Sequence, residues 1–329
     1  MNIAGKKVLV TGGAGFIGSH LVQLLIRNGA HVRVLVHYNS FNTKGYIDHL
    51  SIEEQQAIEV IQGDLKEYQT INQACQNAEI VFHLGALIAI PYSYQQPLDV
   101  MHTNIQGTLH VAQAVKDWEI PLLVHTSTSE VYGTARYVPM DENHILQAQS
   151  PYSASKIAAD KIIESFHCSY HLPVVTVRPF NAYGPRQSLR AVIPTIISQA
   201  LFQSEIILGN LSATRDFTFV EDTARAFLAA ASSTHAIGQV FNAGSEFEVS
   251  IGDLAKKVTQ IIGRDLPIRI DPERLRPDTS EVDRLFSNSS KAKQVLGWAP
   301  QISLEEGLEK TIHWISKHKN TYQTKQYVI

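Results

Sequence analysis

One segment limits what this chain can become more than any other. Lys7-Val8-Leu9-Val10 is short, apolar and rich in β-branched residues, and it runs straight into Thr11-Gly12-Gly13-Ala14-Gly15-Phe16-Ile17-Gly18. After the glycines, Ser19 to Leu25 carries helical spacing, so the order is strand, glycine turn, helix. Gly13 to Gly18 fits G-x-G-x-x-G. Glycines without Cβ let such a turn close and let backbone N–H groups at the helix N-terminus approach a pyrophosphate. The turn is therefore expected to hold a dinucleotide through Gly12, Gly15, Phe16, Ile17 and Gly18. The alternative is a glycine turn that only packs a helix on a strand.

The pattern then repeats. Val32 to Val36, Ile58 to Ile61, Ile80-Val81-Phe82, Leu122-Leu123-Val124 and Val174 to Val177 are apolar runs separated by helical stretches. Strands that alternate with helices imply a parallel sheet covered on both faces, a doubly wound α/β fold of Rossmann type. We expect residues 1–178 to form this dinucleotide-binding domain. Residues 179–329, where Gly and Pro punctuation increases, should form mainly a smaller α/β substrate-binding lobe, with 217–245 returning to the first domain. The tail from Lys317 to Ile329 is polar.

Composition excludes several classes. With 329 residues the chain can bury a large core, and 28 Lys+Arg against 31 Asp+Glu give a net charge of -3, which calls for no polyanionic partner. Two cysteines, Cys75 and Cys168, are too few for a disulfide scaffold or a four-cysteine zinc site, and the histidines show no H-E-x-x-H spacing, so no metal is expected. Neither a signal peptide nor a membrane span is visible, which suggests a soluble cytoplasmic protein.

The end of the second strand bears on the cofactor. A carboxylate there meets the ribose hydroxyls of NAD, whereas Leu35-Val36-His37-Tyr38-Asn39-Ser40 has none. His37, Asn39, Ser40 and Lys44 offer donors, which favours NADP, with NAD held through backbone and Asn39 contacts as the alternative. Further cofactor contacts are expected from Asp64 and Leu65 after the third strand, and from Leu84 after the fourth. Asp64 can accept from the adenine amino group or serve as a helix cap.

Among the tyrosines, only Tyr152 is followed four residues later by a lysine, Lys156, and positions i and i+4 share one helix face. Hydride transfer from a carbinol carbon needs a base for the hydroxyl proton, and a tyrosine near its ordinary pKa of about 10 is poorly poised at neutral pH. A neighbouring ammonium is expected to favour the tyrosinate.

These features together resemble the extended short-chain dehydrogenase/reductase family of nucleotide-sugar epimerases and dehydratases. The likeness is carried by Thr11 to Gly18, Asn104-Ile105-Gln106-Gly107-Thr108, Tyr152 with Lys156, Arg178-Pro179-Phe180-Asn181-Ala182-Tyr183-Gly184-Pro185 and Arg215-Asp216-Phe217. The resemblance implies NAD(P), a C-terminal lobe for the nucleotide sugar, and a homodimer through a four-helix bundle. It also implies which residues act. Thr128-Ser129-Glu130 matches the dehydratases, in which a Thr is followed by a polar residue and Glu. On that pattern Thr128 hydrogen-bonds O4, Tyr152 is the base at O4, and Glu130 removes the C5 proton. Ser129 departs from the Asp found in glucose dehydratases and matches the GDP-mannose 4,6-dehydratases.

Segments such as Gln147 to Lys156, Thr214 to Phe219 and Leu275-Arg276-Pro277 are most similar to soluble N-acetylglucosamine nucleotide 4,6-dehydratases of the legionaminic acid type. The substrate implied is UDP- or GDP-N-acetylglucosamine. Arg215 and Arg276 are expected to meet the diphosphate, Asn181 the diphosphate or a sugar hydroxyl, and Tyr92 the hexose; Arg186 and Arg190 are secondary candidates. A 4-epimerase shares every one of these residues except the use of Glu130. A catalytically silent NADP-binding protein would need none of Thr128, Tyr152 and Lys156.

Overall fold

The computed structural model describes residues 2–323, so the end of the polar tail, 324–329, lies outside the described residues. Seven parallel strands form the main sheet: β1 (Lys7–Thr11), β2 (His31–Val36), β3 (Ile58–Gln62), β4 (Ile80–His83), β5 (Leu123–Thr126), β6 (Val174–Pro179) and β10 (Val240–Ala243). Their order, β10-β6-β5-β4-β1-β2-β3, reverses direction between β1 and β4. Ligands of open parallel sheets bind where the carboxyl ends of strands diverge in this way.

Strands buried on both faces need two apolar layers, and alternation within each strand supplies them. In β1, Val8 and Val10 pack with Leu21, Val22 and Leu25 of the helix α1 (Phe16–Arg27). Leu9 faces the other way, into a core completed by Val111 and Val115 of a long helix α2 (97–117) and by Ile163 and Phe166 of α3 (Pro151–Tyr170). Helix α2 is interrupted by a π-type turn, His102–Gln106. Such turns re-aim side chains, and Asn104 within this one is buried and turned toward the loop after β4.

The second lobe has its own core around α4 (Val192–Phe202), with Ile193, Ile196 and Ile197 packed on Phe217, Phe219, Leu254 and Leu308. Its three-stranded sheet joins β7 (Asn181–Tyr183), β9 (Thr214–Phe219) and β11 (Glu248–Ser250), and a two-stranded sheet pairs β8 (Ile206–Leu208) with β12 (Ile268–Ile270). The chain passes from β9 into the helix α5 (Val220–Ser232), which packs beside α1, and then into β10, which pairs with β6. The lobes are thus linked by repeated crossings.

One buried carboxylate holds this junction. Asp216 of β9 accepts hydrogen bonds from Ser245 N (2.7 Å) and Oγ (2.6 Å), Glu246 N (3.1 Å), and Ser287 N (3.2 Å) and Oγ (2.5 Å). Burial pushes its pKa up while these donors oppose that. Replacing Asp216 by Asn sets an amide N–H₂ against donors, leaving buried groups unpaired. The expected cost is about 2–3 kcal/mol, read as a lower urea midpoint at unchanged slope.

Candidate active site

The carboxyl ends of the strands gather the residues named above. The glycine turn is tight on all sides. Gly12 has φ of +69°, and a Cβ there would lie 2.6 Å from Gly85 N; a Cβ on Gly18 would lie 2.1 Å from the Gly12 carbonyl oxygen. Gly15 N–H donates to that same carbonyl at 2.9 Å, and α1 begins one residue later with no side-chain cap, leaving its first N–H groups directed outward. A backbone cradle cleared of side chains at a helix N-terminus fits a dinucleotide pyrophosphate. Gly12, Gly15, Phe16, Ile17 and Gly18 would hold it, with Leu84 and Leu65 near the Gly12–Gly85 approach.

At the end of β2 the expected donors are drawn into local contacts. His37 is exposed, its Nδ1 is 2.9 Å from the Tyr38 carbonyl, and its Nε2 is 3.2 Å from an Asp64 carboxylate oxygen. Asn39 spends its side chain on its own turn, bonding Thr43 O at 2.8 Å and Thr43 N at 3.2 Å. Ser40 is exposed beside it. Two of the donors that favoured a 2′-phosphate are therefore engaged, and a carboxylate, Asp64 from the loop after β3, lies beside His37. Asp64 also accepts from Lys66 N at 2.9 Å, as a capping residue would.

Tyr152 and Lys156 lie on the buried face of α3, which starts with Ser150 as a capping box and Pro151 in its first turn. Lys156 Nζ donates to the Thr126 carbonyl at 2.7 Å. Burial lowers the Lys156 pKa to about 8, with the Asp160 carboxylate opposing. Burial raises that of Tyr152, the Thr128 hydroxyl bonded to it pulls down, and Glu130 and Asp160 push further up. The expected relief of Tyr152 by the Lys156 ammonium is not found: the ammonium is directed at a strand carbonyl, and desolvation with two carboxylates governs the phenol.

Thr128, Ser129 and Glu130 follow β5 in a short helical turn, with Thr128 Oγ1 accepting from Glu130 N at 3.2 Å. Glu130 is 9% exposed. It acts electrostatically on Tyr152 on one side and on Arg215 on the other. Burial lowers the Arg215 pKa; Glu130 raises it, Arg276 lowers it and Glu281 raises it. Arg215 Nη2 lies 3.1 Å from Glu281, and Arg276 Nη1 lies 3.9 Å from the same oxygen. Arg276 Nη1 and Asn181 Oδ1 are buried without a hydrogen-bond partner. Two guanidinium groups and an orphaned amide oxygen beside a tyrosine and a carboxylate suit an anionic, hydroxylated ligand.

Other candidates fall elsewhere. Tyr92 donates to Asp99 at 2.9 Å, beside Lys66, and its neighbour Tyr94 pairs with Ser280 of the second lobe at 2.6 Å. Arg186 is buried between lobes, bonded to Gln23 at 2.8 Å, and Arg190 is exposed. Several residues escaped the sequence reading. Asn104 bonds Leu87 N and O and Ser155 Oγ at 2.8 to 2.9 Å, tying the loop after β4 to α3. His125, Asp160 and Arg178 form a buried charged group behind Lys156. Arg178, a charge inside the apolar run of β6, is a signal that could have found them, because a buried guanidinium demands a partner.

A family model described as GDP-mannose 4,6 dehydratase matches residues 9–311. The UDP-glucose 4-epimerase of Mycolicibacterium smegmatis is 33% identical over 315 residues, 94% of this chain and 98% of that one. The dTDP-D-glucose 4,6-dehydratase of Homo sapiens is 29% identical over 327 residues, 97% of this chain and 92% of the relative. A dTDP-glucose 4,6-dehydratase from Streptomyces venezuelae, solved with NAD bound, superposes with a TM-score of 0.87 at 26% identity, covering 96% of this chain and 99% of that one. No helix among the described residues is long and apolar enough to cross a membrane, and none of their His, Cys, Asp and Glu side chains cluster as a metal site. With its glycine cradle, its Tyr152–Lys156 pair and a family match over most of its length, the chain belongs to the extended short-chain dehydrogenase/reductase family of nucleotide-sugar dehydratases and epimerases.

Proposed function

We propose that the protein is a nucleotide-sugar 4,6-dehydratase acting on UDP- or GDP-N-acetylglucosamine to give the 4-keto-6-deoxy sugar. The observation that carries this reading is Glu130, a carboxylate on a largely buried residue that acts electrostatically on both Tyr152 and Arg215. A 4-epimerase needs no second base beside Tyr152, whereas removal of the C5 proton does. The N-acetylglucosamine substrate is supported by the resemblance of the segments around Tyr152, Arg215 and Arg276.

Bound in the glycine cradle, a nicotinamide dinucleotide supplies the acceptor and later the donor of one hydride. Tyr152 takes the O4 proton while Thr128 hydrogen-bonds that oxygen. The C4 ketone acidifies the C5 proton, which Glu130 removes. Water leaves from C6, its proton coming from Glu130 or from a water held by Ser129, and C6 would then take back the hydride while C5 takes a proton that reaches it from solvent through Glu130. Arg215, Arg276 and Asn181 hold the diphosphate and a sugar hydroxyl. We propose NAD as the cofactor, because His37 and Asn39 are engaged and Asp64 brings negative charge beside His37. A homodimer is proposed on the family resemblance.

Proton NMR in deuterated water tests the reaction. UDP- or GDP-N-acetylglucosamine should give a new C6 methyl signal with deuterium at C5. Glu130→Gln should lower methyl formation by about a hundredfold or more while reduction of bound cofactor on mixing persists, and Tyr152→Phe should lose both. A C4 epimer without a methyl signal would replace the dehydratase by an epimerase.

The competent site has lost one of the two protons carried by Tyr152 and Lys156, and Lys156, whose pKa burial lowers to about 8, is the group that loses it first. With the Lys156 pKa at about 8 and that of Tyr152 raised, the fully protonated pair prevails below pH 8. The kcat/KM for C4 oxidation should therefore fall about tenfold per pH unit as pH drops below about 8, and level off above it. A flat profile between pH 6 and 8 would contradict this pairing.

A further inference from the structure

Asp160 stands four residues after Lys156 and eight after Tyr152, on the same buried stripe of α3. Its carboxylate accepts from Ser127 Oγ at 2.7 Å and from Arg178 at 2.9 and 3.3 Å, and lies 3.2 Å from His125 Nε2. His125 and Ser127 flank Thr126, whose carbonyl receives the Lys156 ammonium. Arg178 continues the chain by donating to the Tyr132 hydroxyl at 3.0 Å, which donates to Asn242 at 2.7 Å. Tyr132 closes the turn Ser129–Tyr132 that presents Glu130.

Asp160 and Arg178 line a partly open pocket of about 460 Å³ together with Glu142, His144 and Thr176. There the ion pair and its hydrogen bonds add to the packing of Ile163 and Phe166 that holds α3 to β5 and β6.

We propose that the Asp160–Arg178 pair is a positioning element for both halves of the chemistry: through Ser127 and His125 it sets the strand carbonyl that directs Lys156, and through Tyr132 it sets the turn that carries Glu130. The Glu130 half rests on the dehydratase reading above; the Lys156 half concerns C4 oxidation, which dehydratases and epimerases share. The charged and titratable groups facing the pair are Lys156 and Tyr152 from α3, His125 from β5, His83 from β4, and Tyr132 with Glu142 near Arg178. Burial holds both imidazoles below their ordinary range, so they remain neutral and Asp160 is the anion that Lys156 meets. Asp160 favours the protonated form of Lys156 and of Tyr152 alike, so its removal moves both titrations in one direction.

Two variants test this. Asp160→Asn should shift the rising limb of kcat/KM for C4 oxidation to lower pH by about one unit. The Lys156 resonance in protein carrying ¹³C-labelled lysine, assigned with Lys156→Arg, should titrate at correspondingly lower pH. An unmoved limb with an unmoved lysine titration overturns the Lys156 half. Tyr132→Phe removes one hydroxyl and keeps the ring, so folding is preserved where Asp160→Asn could impair it. It should lower C6 methyl formation about tenfold or more relative to C4 oxidation. Equal loss of both steps, or no loss, overturns the Glu130 half. The reaction assignment fails separately, through full methyl formation by Glu130→Gln.

Discussion

The rest of the structure depends on the absence of two side chains. With a Cβ on Gly12 or Gly18, the turn between β1 and α1 would collide with Gly85 or with its own carbonyl. Only when that turn closes do the ends of β1 and β4 meet at the point where the sheet reverses its order. From there the spacing of parallel strands, about 4.8 Å, delivers the loops after β4, β5 and β6 side by side. Asn104 fastens the first of these to α3, and Lys156 fastens α3 to the second. Thr128, Glu130 and Tyr152 are held by these ties together with the Thr128 hydroxyl, which accepts from Glu130 N and bonds Tyr152.

That arrangement also sets the surroundings that Tyr152 and Lys156 meet. A helix places i and i+4 on one face, but which way each long side chain then turns is decided by the groups it meets. Lys156 meets an unsatisfied strand carbonyl, and a buried ammonium takes a carbonyl readily. Tyr152 meets Thr128 and two carboxylates, which stabilise the neutral phenol. In the proposed reaction the limb near pH 8 belongs to Lys156, whose neutral form leaves room for the proton that Tyr152 takes from O4.

The sequence was most legible where backbone geometry is the constraint. The glycine turn, the alternating strands and the Tyr–Lys spacing are local and periodic, and each can be read without knowing what lies opposite. Legibility ended where the answer came from a distant segment. The strand end after β2 carries no carboxylate of its own, yet Asp64 from the loop after the next strand, 27 residues away, lies beside His37. Tyr92 and Tyr94 sit two residues apart on one short helical turn, and only the fold reveals that Tyr94 crosses to Ser280 while Tyr92 stays with Asp99. Asp160 was hidden because nothing local distinguishes it from a surface helix carboxylate; its partners sit 18 and more residues away on two strands.

The cost of that buried group argues about its role. Removing a carboxylate and a guanidinium from water costs several kcal/mol per ion, and well-packed apolar residues could fill the corner with equal or greater stability. What apolar residues cannot supply is direction. Burial pushes the Asp160 carboxyl up, yet His125, Arg178 and Ser127 hold it at about 2, so it stays ionised well into acid. A charge with three fixed donors permits one orientation of α3 on the strands, whereas an aliphatic side chain lining that pocket would permit many. Lys156 is fixed through the residue between two of those donors, and Glu130 through the tyrosine beyond the third. A small error in either would be paid in rate, since misplacing a catalytic group by about 1 Å can cost about a hundredfold.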